Sequence, residues 1–166
     1  MMQMSVGVEY ALHSLFYMID APKGCTIGIR ELADLNKLSE TYLSKIFTRL
    51  TKAGIVRSVQ GVKGGYELSK STSDISFWDI VEAIEGDSYL FQCAEIRQNN
   101  IFITSEDNRA GCPCLIKTVM QEAEDQMRDF LKKKTLKWLH DEVNTDFSQD
   151  RKDKIQEWLE KAANRS

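Results

Sequence analysis

A helical apolar stripe that stops at a glycine, followed by two short runs around more glycines, constrains this 166-residue chain most. In SETYLSKIFTRLTKAGIV, Leu43, Ile46, Phe47 and Leu50 fall at i, i+3, i+4 and i+7. That spacing puts them on one face of an α-helix. Ser39 stands where an N-cap is needed, and Gly54 stands where the helix must end. IVRSV and GYEL then read as two short strands flanking QGVKGG, a glycine-rich hairpin loop. Upstream, IGIRELADLNK gives a shorter helix with Ile29, Leu32, Ala33 and Leu35 inward, and NKLS makes the turn. Two short helices, a tight turn and a glycine-rich hairpin describe a winged helix–turn–helix. The expected fold is mainly α with a small β-wing.

The remaining segments are helical at helical spacing. In residues 5–20, Val8, Ala11, Leu12, Leu15 and Ile19 form one stripe before APKGC breaks it. SFWDIVEAIEGD is another short helix, with Ser76 and Asp79 spaced as a capping box. Residues 88–111 show no period and read as a loop of low order. From Leu115, the positions Ile116, Val119, Met120, Ala123, Met127, Phe130 and Leu131 approach heptad spacing, which predicts a long helix. TLKWLHDEV continues as a separate helix. Residues 148–164 form an amphipathic tail with Ile155, Trp158 and Leu159 on one side. The chain therefore divides into a winged-helix unit at 1–87, a loop at 88–114, a long-helix region at 115–147 and a tail helix at 148–166.

The net charge of −3 hides an asymmetry. Residues 1–70 hold 9 basic and 6 acidic side chains, whereas residues 71–166 hold 13 and 19. A basic first part fits a polyanion-binding face. The outer face of the second helix of the motif presents Thr41, Tyr42, Ser44, Lys45, Thr48, Arg49 and Lys52. The hairpin adds Arg57, Gln60 and Lys63. These side chains suit phosphate contacts and, in part, base edges. No apolar run reaches the roughly 18 residues that would suggest a membrane span. The start lacks the features of a signal peptide, so a cytoplasmic location is expected. Cysteines in that compartment point to metal or redox chemistry more than to structural disulfides.

The stretch LSETYLSKIFTRLTKAGIVRSVQGVKGGYEL, with the opening MQMSVGVEYALHSLFYM, resembles the Rrf-type bacterial transcription regulators typified by IscR, NsrR and CymR. The resemblance spans roughly residues 2–143. It implies a non-enzymatic, homodimeric regulator, most simply a repressor, on palindromic double-stranded operators, with the long helix joining the two copies. Members often carry arginine before the first wing glycine. Here the residue is Gln60, which implies weaker minor-groove electrostatics and a different operator.

Many members hold an iron–sulfur cluster on three closely spaced cysteines. Here Cys93 lies far from Cys112 and Cys114, so that pattern is not met. VEYALH together with the later CPC is instead similar to the RsrR-like redox-sensing branch of the family. That resemblance implies a [2Fe–2S] cluster on Glu9, His13, Cys112 and Cys114, shared between subunits, with Cys93 outside the ligand set. Glu9 and His13 are four residues apart and share a helix face. Thiolates suit iron, and an imidazole in place of a thiolate raises the reduction potential. Cys114 at a helix start meets the positive end of the helix dipole, which favours thiolate.

Other readings stand beside this one. Glu9 and His13 can be an ordinary exposed pair, and CPC a thiol pair that forms disulfides or does little. Cys93 reads either as a packing residue or as a possible redox thiol. Cys25 reads as silent, and His140 as a solvated residue in a charged helix. The alternative function is a thiol–disulfide regulator of the same family without a cluster, using Cys93 or Cys25. A small thiol oxidoreductase is a remote third, since no strand–helix alternation of the thioredoxin kind surrounds CPC.

Overall fold

The structure is a computed structural model, and it describes residues 4–61, 64–87, 89–96, 101–102 and 114–164. Helix α1 spans Val6–Met18, α2 Ile29–Asn36 and α3 Glu40–Lys52. Strands β1 (Val56–Val59) and β2 (Gly65–Leu68) follow, then a 3-10 turn at Thr72–Asp74 and α4 at Phe77–Glu85. Helices α5 (Leu115–Lys132), α6 (Leu136–Asp146) and α7 (Gln149–Asn164) complete the described elements.

The local signals act as their chemistry requires. The Ser39 hydroxyl accepts from the Tyr42 amide at 3.4 Å and caps α3. Lys37 takes the left-handed conformation (φ 54°) in the turn between α2 and α3. Gly54 does the same (φ 68°) past the end of α3, where the Ile55 amide reaches back to the Leu50 carbonyl at 3.0 Å. That bond is the 6→1 closure of a Schellman ending. Ser76 and Asp79 make both arms of the capping box.

β1 and β2 pair antiparallel, Val56 opposite Leu68 and Val59 opposite Gly65. Ile27 adds a bridge to Tyr66. A Cβ at Gly65 would lie 2.7 Å from the Ile27 carbonyl oxygen, so only glycine lets that third segment approach.

Leu43, Ile46, Phe47 and Leu50 of α3 are buried as their spacing predicts, alongside Val8, Ala11 and Leu15 of α1 and Leu32 and Ala33 of α2. Ile29, Leu12 and Ile19 pack at the margin. The core extends beyond the motif. Leu136 is fully buried, and its amide donates to the Ile75 carbonyl at 2.9 Å, returning α6 onto the segment between the 3-10 turn and α4. Leu159 of α7 is buried too, with Ile155 and Trp158 packed beside it and the Trp158 ring edge-on to Tyr17. The apolar side of the tail thus covers α1. Of the low-order segment, the described residues 89–96 form no α-helix or strand, and much of the rest lies outside the described residues.

The long helix buries an unexpected face. Its fully buried residues are Glu124 and Arg128, while Met127 and Leu131 pack at the core margin. Leu115, Ile116, Val119 and Phe130 stay 76%, 69%, 55% and 60% exposed. Much of the apolar stripe therefore lies on the open side of α5, away from its own chain.

Candidate functional site

The stripe of α3 anchors it in the core, which turns the opposite side outward. Thr41, Tyr42, Lys45, Thr48, Arg49 and Lys52 are exposed there, and Ser44 is half-buried. Lys45 and Lys52 make no ion pair among the described residues. Two other side chains have internal partners. The Thr48 hydroxyl donates to the Ser44 carbonyl at 2.9 Å. Arg49 donates from Nη1 to the Ile84 carbonyl at 2.6 Å, satisfying an orphan acceptor in the last turn of α4. The guanidinium is thereby aimed, with other N–H groups left over. On the wing, Arg57 Nε pairs across the ladder with Glu67 at 2.8 Å. Gln60 is exposed near the tip, and Lys63 lies outside the described residues.

Helix α1 lies beneath this face and is tied to it at two points. The Tyr10 and Tyr42 rings meet edge to face, with centroids 5.8 Å apart. The Ser5 amide and hydroxyl both donate to Glu85 of α4, at 2.9 and 2.6 Å. A Cβ at Gly7 would lie 3.1 Å from Ile84, so the helices approach closely at that position.

Glu9 and His13 are exposed on α1 and line one shallow concavity with Met4, Val6 and Leu12. Neither makes a hydrogen bond or ion pair among the described residues. Cys114 is half-buried at the N-cap of α5, while Cys112 lies outside the described residues. Among the described residues of one chain, no three metal-capable side chains come together. Cys93 is half-buried, its thiol donating to Glu95 at 3.6 Å. Cys25 lines a separate cleft with Lys23, Arg57 and Lys70.

His140 is not the solvated residue its charged helix suggests. Its Nε2 lies 2.9 Å from Asp20 at the end of α1, and the side chain is mostly covered. A tertiary partner 120 residues away in sequence cannot be seen from local charge pattern.

Sequence reasoning also missed an ionic cluster under α5. Arg128 contacts Glu124 from Nη2 at 2.8 Å and Asp87 from Nη1 at 3.1 Å. Its guanidinium lies between the rings of Trp78 (4.6 Å) and Tyr89 (4.5 Å). Glu124 also accepts the Leu90 amide at 2.8 Å. The hydrogen bond to Glu124 raises the Arg128 pKa above its ordinary value, against the effect of burial. The i, i+4 spacing of Glu124 and Arg128 within an apolar heptad was the available signal.

Residues 4–142 match the family described as Rrf2, iron-dependent transcriptional regulator. The chain belongs to the Rrf2 family. YffB of Lactococcus lactis, named as an HTH-type transcriptional regulator, is 34% identical over 147 residues, covering 89% of this chain and 92% of that one. The oxidised form of Staphylococcus aureus CymR is 29% identical with a TM-score of 0.60, covering 84% and 96%. The IscR structure from T. potens superposes with a TM-score of 0.65 at 22% identity, covering 89% and 93%, and shares the fold. This Rrf2 chain is therefore a winged-helix transcriptional regulator, and no described helix is long and apolar enough to cross a membrane.

Proposed function

We propose that this Rrf2 chain is a homodimeric repressor of palindromic operators that senses redox, nitrosative or iron–sulfur status through a [2Fe–2S] cluster. Glu9 and His13 of one copy and Cys112 and Cys114 of the other would hold it. The observation that carries this reading is the pairing of Glu9 and His13 on one open face of the helix that grips the recognition helix.

The donor set fits iron: two thiolates, an imidazole and a carboxylate. Glu9 and His13 have no competing partner among the described residues, so neither has an internal bond to break first. The family description as iron-dependent supports the same direction. When bound, such a group supplies one-electron redox chemistry.

The protein's own side chains convert a change at Glu9 and His13 into a change at the operator. A small rotation of α1 moves Tyr10 against Tyr42 and Ser5 against Glu85, and so shifts α3 relative to α4. Thr41, Tyr42 and Ser44 would address bases. Lys45, Thr48, Arg49, Lys52, Arg57, Gln60 and Lys63 would contact phosphates or the groove beside the wing. The exposed stripe of α5 supports pairing with a second copy, because an open face of Leu115, Ile116, Val119 and Phe130 is unfavourable in water.

Anaerobic purification with an absorption spectrum and iron and sulfide analysis tests the sensor. The wild type is expected to be brown, and Cys114→Ala and His13→Ala to lose or alter the spectrum. A colourless, iron-free wild type after reconstitution overturns it.

The placement of Cys25 favours a second reading, a thiol switch without a cluster. Cys25 lines an open cleft with Lys23, Arg57, Glu67 and Lys70, so its thiol is within reach of a dissolved oxidant. Peroxide would take two electrons and two protons from a pair of thiols, Cys25 or Cys93 with another, forming one S–S bond and two waters. Mass spectrometry that finds no disulfide, while operator binding still responds to peroxide, rejects it.

A further inference from the structure

A cavity of about 270 Å³ opens between α1, α4, α6 and the start of α7, away from the DNA face. Phe16, Tyr17, Phe77 and Phe147 supply aromatic walls. Leu139 and Val143 line the α6 side. The size is near the lower end of the roughly 300–1,000 Å³ usual for small-molecule sites, enough for a single ring with a short chain.

Among the described residues no Asp or Glu lines the cavity, whereas the cationic Arg151 stands at the edge and the His13 imidazole contributes on the α1 side. Arg151 is exposed at the rim, and its guanidinium lies 3.7 Å from the centre of the Phe147 ring. Among the described residues it meets no carboxylate, although the surrounding helix is rich in acidic side chains. A guanidinium over a ring, next to an apolar cavity and without a carboxylate, complements a planar apolar body bearing one carboxylate.

We propose that this cavity is an effector site for a small aromatic carboxylate, with Arg151 as the carboxylate anchor. The site joins α1 to α6 and α7, so an occupant bridges the sensor helix to the tail. Phe16 of the wall also faces the ring of His140 (centroids 6.3 Å apart), whose Nε2 lies 2.9 Å from Asp20 just past the end of α1. The proposal does not depend on the iron–sulfur reading. His13 belongs to that ligand set, but the anchor Arg151 does not, and a cluster-free protein would keep the cavity.

The test uses full-length protein, phenylacetate and its neutral isostere phenylacetamide, with binding read by calorimetry and ligand-observed NMR. Phenylacetate is expected to bind saturably at millimolar concentration or below. Arg151→Gln should weaken it by about tenfold or more while leaving phenylacetamide unchanged. Val143→Phe, which fills the cavity, should abolish both without lowering the melting temperature. Absence of saturable phenylacetate binding overturns the proposal, as does equal affinity in the wild type and Arg151→Gln. If both variants instead weaken self-association measured by sedimentation without ligand, the cavity is a contact between copies, and the effector site is rejected.

Discussion

The ring of Tyr42 on the recognition helix meets Tyr10 on α1 nearly perpendicular, at 89° and 5.8 Å between centroids. Tyr10 directly follows Glu9 in the chain, so a residue of the reading face touches the turn that carries the proposed ligands. Tyr42 is 39% exposed, so it remains accessible on the outer side of α3.

Replacing Tyr42 separates its two roles. Tyr42→Phe keeps the ring pair and should melt like the wild type, with altered operator preference only. Tyr42→Ala should lose about 0.5–1.5 kcal/mol for the pair alone, read by denaturant titration. It should also flatten the difference in operator affinity between oxidised and reduced protein. A full redox response in Tyr42→Ala would show that the signal travels by another route.

Lys45 and Lys52 are the cations on α3 without internal partners among the described residues, so their phosphate contacts should appear undiluted. Each change to Ala should reduce the slope of log affinity against log salt by about 0.9, uniformly across DNA sequences. Arg49→Ala should weaken binding and also lower stability, because its Nη1 bond to the Ile84 carbonyl goes too. Fluorescence anisotropy across a salt series distinguishes the three.

Arg128 and Glu124 are buried together, 8% and 5% exposed. Arg128→Met strands a buried carboxylate and should cost about 3–5 kcal/mol. Replacing both by Met should recover most of that, since paired apolar groups need no counter-charge. Chemical denaturation of the single and double variants checks it. Additive losses in the double variant would mean that the two charges do not act as a pair.

The open stripe of α5 should respond to charge. Val119→Glu is expected to convert the assembly to monomer in sedimentation while leaving the monomer's helical signal intact, because Val119 is 55% exposed in one chain. Unchanged mass would remove α5 as the contact between copies.

Much of the motif was legible because its causes are local. The α3 stripe, the Ser39 cap, the glycine after α3 and the Ser76–Asp79 box each involve residues within one or two turns. Which side of α3 turns outward followed by subtraction, being what the stripe leaves outside. Arg49 and Arg57 departed from that picture because their partners, Ile84 and Glu67, come from other elements. His140 departed from it for the same reason through Asp20.

Periodicity determined which segments become helix, and caps and glycines marked several of the ends, although α6 runs on to Asp146, past TLKWLHDEV. It could not choose between the two faces of α5, since both carry residues able to pack. The tertiary structure decided that Glu124 and Arg128 go under Trp78 and Tyr89, leaving the apolar stripe open. It also decided that the tail folds back on α1 through Leu159 and Trp158. The physical reason is that spacing fixes a side chain's direction from its own axis, whereas its environment depends on which other surface arrives there.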